Sequence, residues 1–187
     1  MLIKHNSIEL YKPFQLFSLE DCEKIIHEAS RQTEGIRSRT VNQNDKPAGR
    51  SSTTFWYKPT FFTADDLLPY FLPFVKDDYL VDWVQRPIQV ARYEPSQFFA
   101  WHFDQLRGKR TRGRLLTLTC TLQQAQGAEI EVENHPFTLE TGQAVIFPAN
   151  VMHRATAPIK SDRWALTAWG LGTITKTSKR KDPRAKG

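Results

Sequence analysis

Two positions apart in residues 97–105 (QFFAWHFDQ), His102 and Asp104 offer an imidazole and a carboxylate. Side chains at i and i+2 of a strand point to the same face, so an H-x-D pair presents both groups to one space. Those are two of the three ligands of a facial triad, the arrangement that holds a mononuclear iron and leaves its other positions open. The third ligand would be a second histidine. His153 fits best, because Phe147-Pro148-Ala149-Asn150 just before it reads as a strand ending in a turn. His5, His27 and His135 sit in poor contexts for ligation and read as surface residues.

Ten positions beyond His153 comes Arg163, in a segment that alternates like a strand. A 2-oxoglutarate molecule chelates iron through its 1-carboxylate and keto oxygen, so its far carboxylate needs a cation. The planar fork of arginine meets a carboxylate with two hydrogen bonds and stays charged when buried. Arg163 and Trp169 are six apart and share a face on a regular strand, with Arg deep and Trp nearer the mouth of a barrel. Plainer explanations stand beside these. His102 could be a core histidine bonded to Asp104, His153 a loop cap, Arg163 an ion-pair partner of Glu129, and Tyr93 and Trp169 ordinary core aromatics.

The elements that must position these residues are legible in outline. Ser18 with Asp21 resembles a capping box, and Cys22, Ile25, Ile26 and Ala29 recur at helical spacing, predicting a helix over 19–31. Residues 33–54 are polar, with Gly35, Asn42, Asn44, Pro47 and Gly49, and read as a long irregular stretch that could serve as a lid. Thr63 and Asp66 open a second helical stretch that Pro69 and Pro73 must shorten or kink. From Pro87 onward the period changes to two: residues 114–122, 128–133 and 163–171 alternate as half-buried strands, with turns at Gly108, Gly127, Gly142 and Pro148. Helices first and short strands afterwards predict a β sandwich or open barrel with helices on one side.

At 187 residues the chain suits a single domain, 1–172, followed by a basic and disordered tail, 173–187. The tail carries Lys176, Lys179, Arg180, Lys181, Arg184 and Lys186 against Asp182, so it holds +5 of the chain's +6. That location points to a solubilising end, or to weak, salt-sensitive nucleic-acid contact, rather than to a basic folded face. No apolar run is long enough for a membrane helix, and residues 1–14 lack a signal-peptide layout. Cys22 and Cys120 are too few and too far apart for a disulfide framework, so the expected compartment is the cytoplasm.

The residues quoted so far, with FSLEDCEKII in the first helix, GRSSTTFW at 49–56, ARYEPSQFFAWHFD at 91–104, GAEIEV at 127–132 and HRATAPIKSDRWALTAW at 153–169, resemble the prolyl 4-hydroxylase branch of Fe(II)/2-oxoglutarate dioxygenases. The last segment is the most specific, with Pro158-Ile159, Arg163-Trp164 and Trp169 at the family's intervals from His153. The resemblance implies a double-stranded β-helix (jelly roll). It implies Fe(II) at His102, Asp104 and His153, 2-oxoglutarate on Arg163 and Tyr93, and O2 as co-reactant, with ascorbate a candidate reductant. Trp169 matches a residue of the substrate channel; Phe99 and Arg50 are further candidate substrate contacts. Departures are concentrated on the substrate side. Gly127-Ala128-Glu129-Ile130 lacks a cosubstrate-binding threonine of the family, leaving Tyr93, Thr117 or Thr119 to supply a hydroxyl; Thr119 is carried forward with Tyr93. Phe99 stands where tyrosine is common, and Pro95-Ser96 replaces a glycine after the tyrosine.

The expected activity is hydroxylation of a peptidyl residue, proline first, with release of succinate and CO2, and a peptide or protein as substrate. Alternatives are oxidative demethylation of nucleic-acid bases, hydroxylation of a free amino acid or other small molecule, and a non-catalytic jelly-roll binding module. Against demethylation, that branch tends to carry a second arginine six residues after the first, where this chain has Trp169.

Overall fold

Helix α1 (Leu19–Gln32) starts where Ser18 accepts a hydrogen bond from the Asp21 backbone N–H, and it turns Cys22, Ile25 and Ala29 inward. Its mid-helix Glu28 accepts a 2.7 Å hydrogen bond from the Tyr57 hydroxyl, which ties the helix to the sheet. The computed structural model describes residues 9–41, 47–77, 79–105 and 113–174. Residues 175–187 of the basic tail, Gly108 and His5 lie outside the described residues. Within them, no helix is long and apolar enough to cross a membrane.

The strands are β1 (Phe14–Gln15), β2 (Ile36–Val41), β3 (Pro47–Tyr57), β4 (Tyr79–Val84), β5 (Ile88–Tyr93), β6 (Phe99–His102), β7 (Arg114–Gln123), β8 (Ile130–Val132), β9 (His135–Phe137), β10 (Gln143–Pro148), β11 (His153–Ala155) and β12 (Arg163–Ile174). They pair in the order β1-β10-β7-β12-β5-β3-β6-β11-β8-β9, with β2 beside β3 and β4 beside β12. Every pairing is antiparallel, and the sheet curls on itself into a jelly roll. A single bridge, Arg50 opposite Phe99, joins β3 to β6 and closes the curl.

The two faces of the curled sheet have different chemistry. On the outer side, Leu116, Leu118, Cys120 and Leu122 of β7 and Leu166 and Ala168 of β12 join a core that includes Cys22, Ile25 and Ala29 of α1. On the inner side stand Thr117, Thr119, Arg163, Thr167 and Trp169, which line a cavity. Both cysteines are buried and free.

Three expectations need correction. Residues 33–54 are not one irregular lid: β2 and β3 occupy much of them, and β3 is paired along β5. Strands begin well before Pro87, and β4 lies at an edge beside β12. Nor is β7 half-buried, since Thr117, Thr119 and Thr121 are as enclosed as the leucines between them. The stretch after Thr63 does form a capping box with Asp66, but only three short turns follow, one of them α2 (Leu68–Phe71) with Pro69 in its first turn.

Candidate active site

His102 closes β6 and His153 opens β11, and the two are direct antiparallel partners. Asp104 lies just past the end of β6 rather than on it, so strand alternation does not place it. Instead its backbone N–H donates to the Ala149 carbonyl at 3.0 Å. The ligand atoms of the three residues lie within 4.8 Å of one another. Oδ1 of Asp104 is 3.8 Å from Nε2 of His102, and Oδ2 is 3.3 Å from Nε2 of His153. Metal bonds of about 2.1 Å in perpendicular directions would set ligand atoms about 3 Å apart, so a small inward adjustment accommodates an ion.

The neighbours fix the orientation of each group. Nδ1 of His102 is 2.7 Å from the Ala100 carbonyl and Nδ1 of His153 is 3.0 Å from the Val151 carbonyl. A carbonyl only accepts, so both Nδ1 atoms carry the proton and both Nε2 lone pairs face the shared space. Thr117 donates its hydroxyl to Oδ2 of Asp104 at 2.7 Å. The Phe99 ring stacks on His102 with 3.4 Å between centroids, and Phe147 packs 4.8 Å from His153. Burial, followed by the nearby His153, pulls the His102 pKa down to about 4 against the opposing charge of Asp104. Burial alone would raise the Asp104 carboxyl, but the facing His153, with His102 beside it, holds it below the usual carboxylate range. A neutral imidazole and an ionised carboxylate are the forms that bind a metal.

These residues face a cavity of about 290 Å³, and Arg163 stands in its wall. Arg163 is 2% exposed, paired across the ladder with Tyr93, and its guanidinium carbon lies 5.6 Å from the Tyr93 ring. Among the described residues no hydrogen-bond acceptor or carboxylate meets this guanidinium. Glu129, the alternative partner, instead accepts from Thr138 at 2.9 Å. Burial pulls the Arg163 pKa below its ordinary value, with Tyr93 opposing. A buried cation in a cavity wall, without an internal partner, fits an anionic ligand, and the His-Asp-His set fits Fe(II).

The remaining sequence candidates fall around the same space. Thr119 lines the cavity in register with Thr167, whereas Thr117 is committed to Asp104. Trp169 also lines it, with the Arg114 guanidinium 3.5 Å from its ring. Arg50 is on β3, donating to Ser52 and Thr54 at 2.8 Å each, and lies 4.6 Å over Phe99. Phe99 is thus sandwiched between Arg50 and a metal-binding histidine. Sequence reasoning missed Trp56, Gln89, Arg114 and Thr167 in the cavity wall. The alternation of β5 and β12 could have flagged Gln89 and Thr167, which face the cavity in register with Tyr93 and Arg163.

Residues 88–170 match the 2OG-Fe(II) oxygenase superfamily. A PKHD-type hydroxylase of Idiomarina loihiensis is 25% identical over 150 residues, covering 74% of this chain and 63% of that protein. A second, from Synechococcus sp., is 28% identical over 105 residues, covering 52% of this chain and 46% of that one. The chain therefore spans only about half to two-thirds of the length of these relatives. The fold is shared with a viral collagen prolyl hydroxylase from Paramecium bursaria Chlorella virus-1 (TM-score 0.64, 21% identity, 86% of this chain and 95% of that one). It is shared too with a Pseudomonas putida prolyl-4-hydroxylase (TM-score 0.66, 16% identity, 86% and 92%). The superfamily match together with the triad implies Fe(II) and 2-oxoglutarate as the metal and cosubstrate. The match over residues 88–170, the curled sheet and the converging triad together support a prolyl 4-hydroxylase-like 2OG-Fe(II) oxygenase.

Proposed function

We propose that this protein hydroxylates a C–H bond of a peptidyl residue, proline first, at the expense of 2-oxoglutarate and O2. The observation that carries the reading is the pairing, in one cavity, of the His102-Asp104-His153 set with the buried Arg163, which has no partner among the described residues. His102, Asp104 and His153 would hold Fe(II), and Arg163 would take the far carboxylate of 2-oxoglutarate, with the Tyr93 and Thr119 hydroxyls beside it. The bound iron and cosubstrate supply the oxidation: 2-oxoglutarate becomes succinate and CO2, one atom of O2 enters succinate, and the other becomes the hydroxyl that replaces hydrogen on the substrate.

The chain's own part is positional. Thr117 keeps Asp104 turned toward the two histidines, the Ala100 and Val151 carbonyls hold the imidazole tautomers, and Phe99 and Phe147 fix the ring planes. Trp169, Trp56 and the half-exposed Phe103 give the mouth an apolar, aromatic lining that suits a pyrrolidine ring and excludes water. The prolyl hydroxylases that share the fold support this substrate class. We assign ascorbate as the reductant that returns iron to Fe(II) after uncoupled turnover.

The test is succinate formation by the Fe(II)-loaded protein with a panel of proline-containing peptides. Peptide-stimulated succinate, with a matching mass gain of one oxygen on the peptide, is expected. A protein that binds both iron and 2-oxoglutarate, yet responds to no peptide of the panel, would refute the peptidyl assignment.

A further inference from the structure

We infer that the substrate presents a carboxylate close to the carbon that is hydroxylated, and that Arg114 is the residue that binds it. The inference rests on the peptidyl reading above and narrows it to peptides with an acidic group beside the target.

Arg114 opens β7 and its side chain lines the same cavity as the triad. Its Nε donates to Oε1 of Gln85 at 2.8 Å, and its Nη1 reaches the Asp104 backbone carbonyl only at 3.5 Å. The guanidinium carbon lies 3.5 Å from the centre of the Trp169 ring, which packs against it. Among the described residues no carboxylate side chain pairs with it and Nη2 has no partner. A guanidinium held rigidly by an aromatic face and one hydrogen bond, with its outer edge open to a cavity, is preorganised for a carboxylate.

Charge balance points the same way. Divalent iron, Asp104, dianionic 2-oxoglutarate and Arg163 together are neutral, so the loaded deep half of the cavity offers Arg114 nothing further to pair with. Arg50, tied to Ser52 and Thr54, adds another cation to the wall. An acidic substrate would be drawn to a wall that carries both cations.

The experiment compares binding of labelled, capped pentapeptides with central proline and Glu, Gln or Lys on either side. It uses fluorescence anisotropy on Co(II)- and 2-oxoglutarate-loaded protein. A peptide ending in a free prolyl carboxylate, beside its amide, separates a terminal from a side-chain source of the charge. The carboxylate peptides should bind about tenfold to a hundredfold more tightly than their neutral counterparts, the range expected for a charge-assisted hydrogen bond. Arg114→Gln should erase that advantage and Arg114→Lys should keep part of it. Because the peptide series is read on the unaltered protein, a variant that fails to fold does not decide the outcome. Equal binding of all peptides, with proline hydroxylation intact, would overturn the inference and leave the hydroxylase reading standing. No binding of any peptide, or displacement of the acidic peptide by a methylated single-stranded oligonucleotide that binds more tightly, would overturn both.

Discussion

Replacing Arg163 by methionine should stabilise the ligand-free protein and abolish its response to 2-oxoglutarate. In the empty cavity the guanidinium has no carboxylate partner among the described residues and is 2% exposed. Replacing buried ionic groups by apolar side chains of similar volume is neutral or stabilises by about 1–4 kcal/mol. Water in a cavity of about 290 Å³ solvates part of this charge, so the low end, about 1 kcal/mol, is the figure to use. For a domain of this size that raises Tm by about 2–4 °C. The ligand-bound state behaves oppositely. Truncating one side of a buried, hydrogen-bonded charge pair costs about 2–5 kcal/mol, which weakens 2-oxoglutarate about thirtyfold to several thousandfold. Thermal melts of the Mn(II)-loaded protein across a 2-oxoglutarate titration read both effects at once. The unaltered protein should gain stability with each increment once the concentration exceeds Kd, whereas Arg163→Met should start higher and stay flat. A variant that melts lower and still responds at unaltered 2-oxoglutarate concentrations would show that Arg163 is a structural residue and that the anchor lies elsewhere.

Three further outcomes follow from particular contacts. Thr117→Val removes the 2.7 Å hydrogen bond to Asp104 and should weaken Co(II) binding about tenfold to a hundredfold by isothermal titration, with Thr117→Ser close to unaltered. Phe99→Ala removes the ring between Arg50 and His102 and should lower stability by about 2 kcal/mol in urea melts as well as loosening metal, while Phe99→Tyr should keep both. Tyr57→Phe should cost about 1 kcal/mol by deleting the hydrogen bond to Glu28. Burial would raise the Glu28 carboxyl, but hydrogen bonds from Thr60 and Tyr57 lower it below its ordinary value. That stability is therefore present near neutrality and lost as pH falls through the carboxylate range, so Tyr57→Phe should also flatten the acid side of a stability-against-pH curve.

How much of this was legible in the sequence depends on which face of a strand carries the signal. Segments 114–122 and 163–171 alternate clearly because one face joins the core that holds α1, and segment 128–133 because Ile130 and Val132 join a second apolar cluster; β7, β12 and β8 lie there. The β3 segment lacks an apolar alternation because the face that carries Arg50 and Trp56 into the cavity wall also carries the polar, buried Ser52 and Thr54. A strand that lines a polar cavity loses the apolar-inward pattern on which sequence reading relies. The same physics makes Gln89 and Thr167 inconspicuous, although they share a strand face with Tyr93 and Arg163 and stand opposite each other in the wall. His102 and His153 meet across a strand pair that the sequence does not announce, and Asp104 is placed by a backbone bond to Ala149 that no periodicity encodes. Thr117 and Thr119 were interchangeable on paper; which of them serves Asp104 is decided by a two-residue difference along β7.

The central claim is that one cavity binds Fe(II) through His102, Asp104 and His153 and 2-oxoglutarate through Arg163. Its most direct test is to add Fe(II) and 2-oxoglutarate to the apo-protein without oxygen and record the visible charge-transfer band of the chelated cosubstrate. The account predicts a band with one iron per chain, absent in His153→Ala and requiring far more 2-oxoglutarate in Arg163→Ala. No band, with no iron retained by metal analysis, would contradict it.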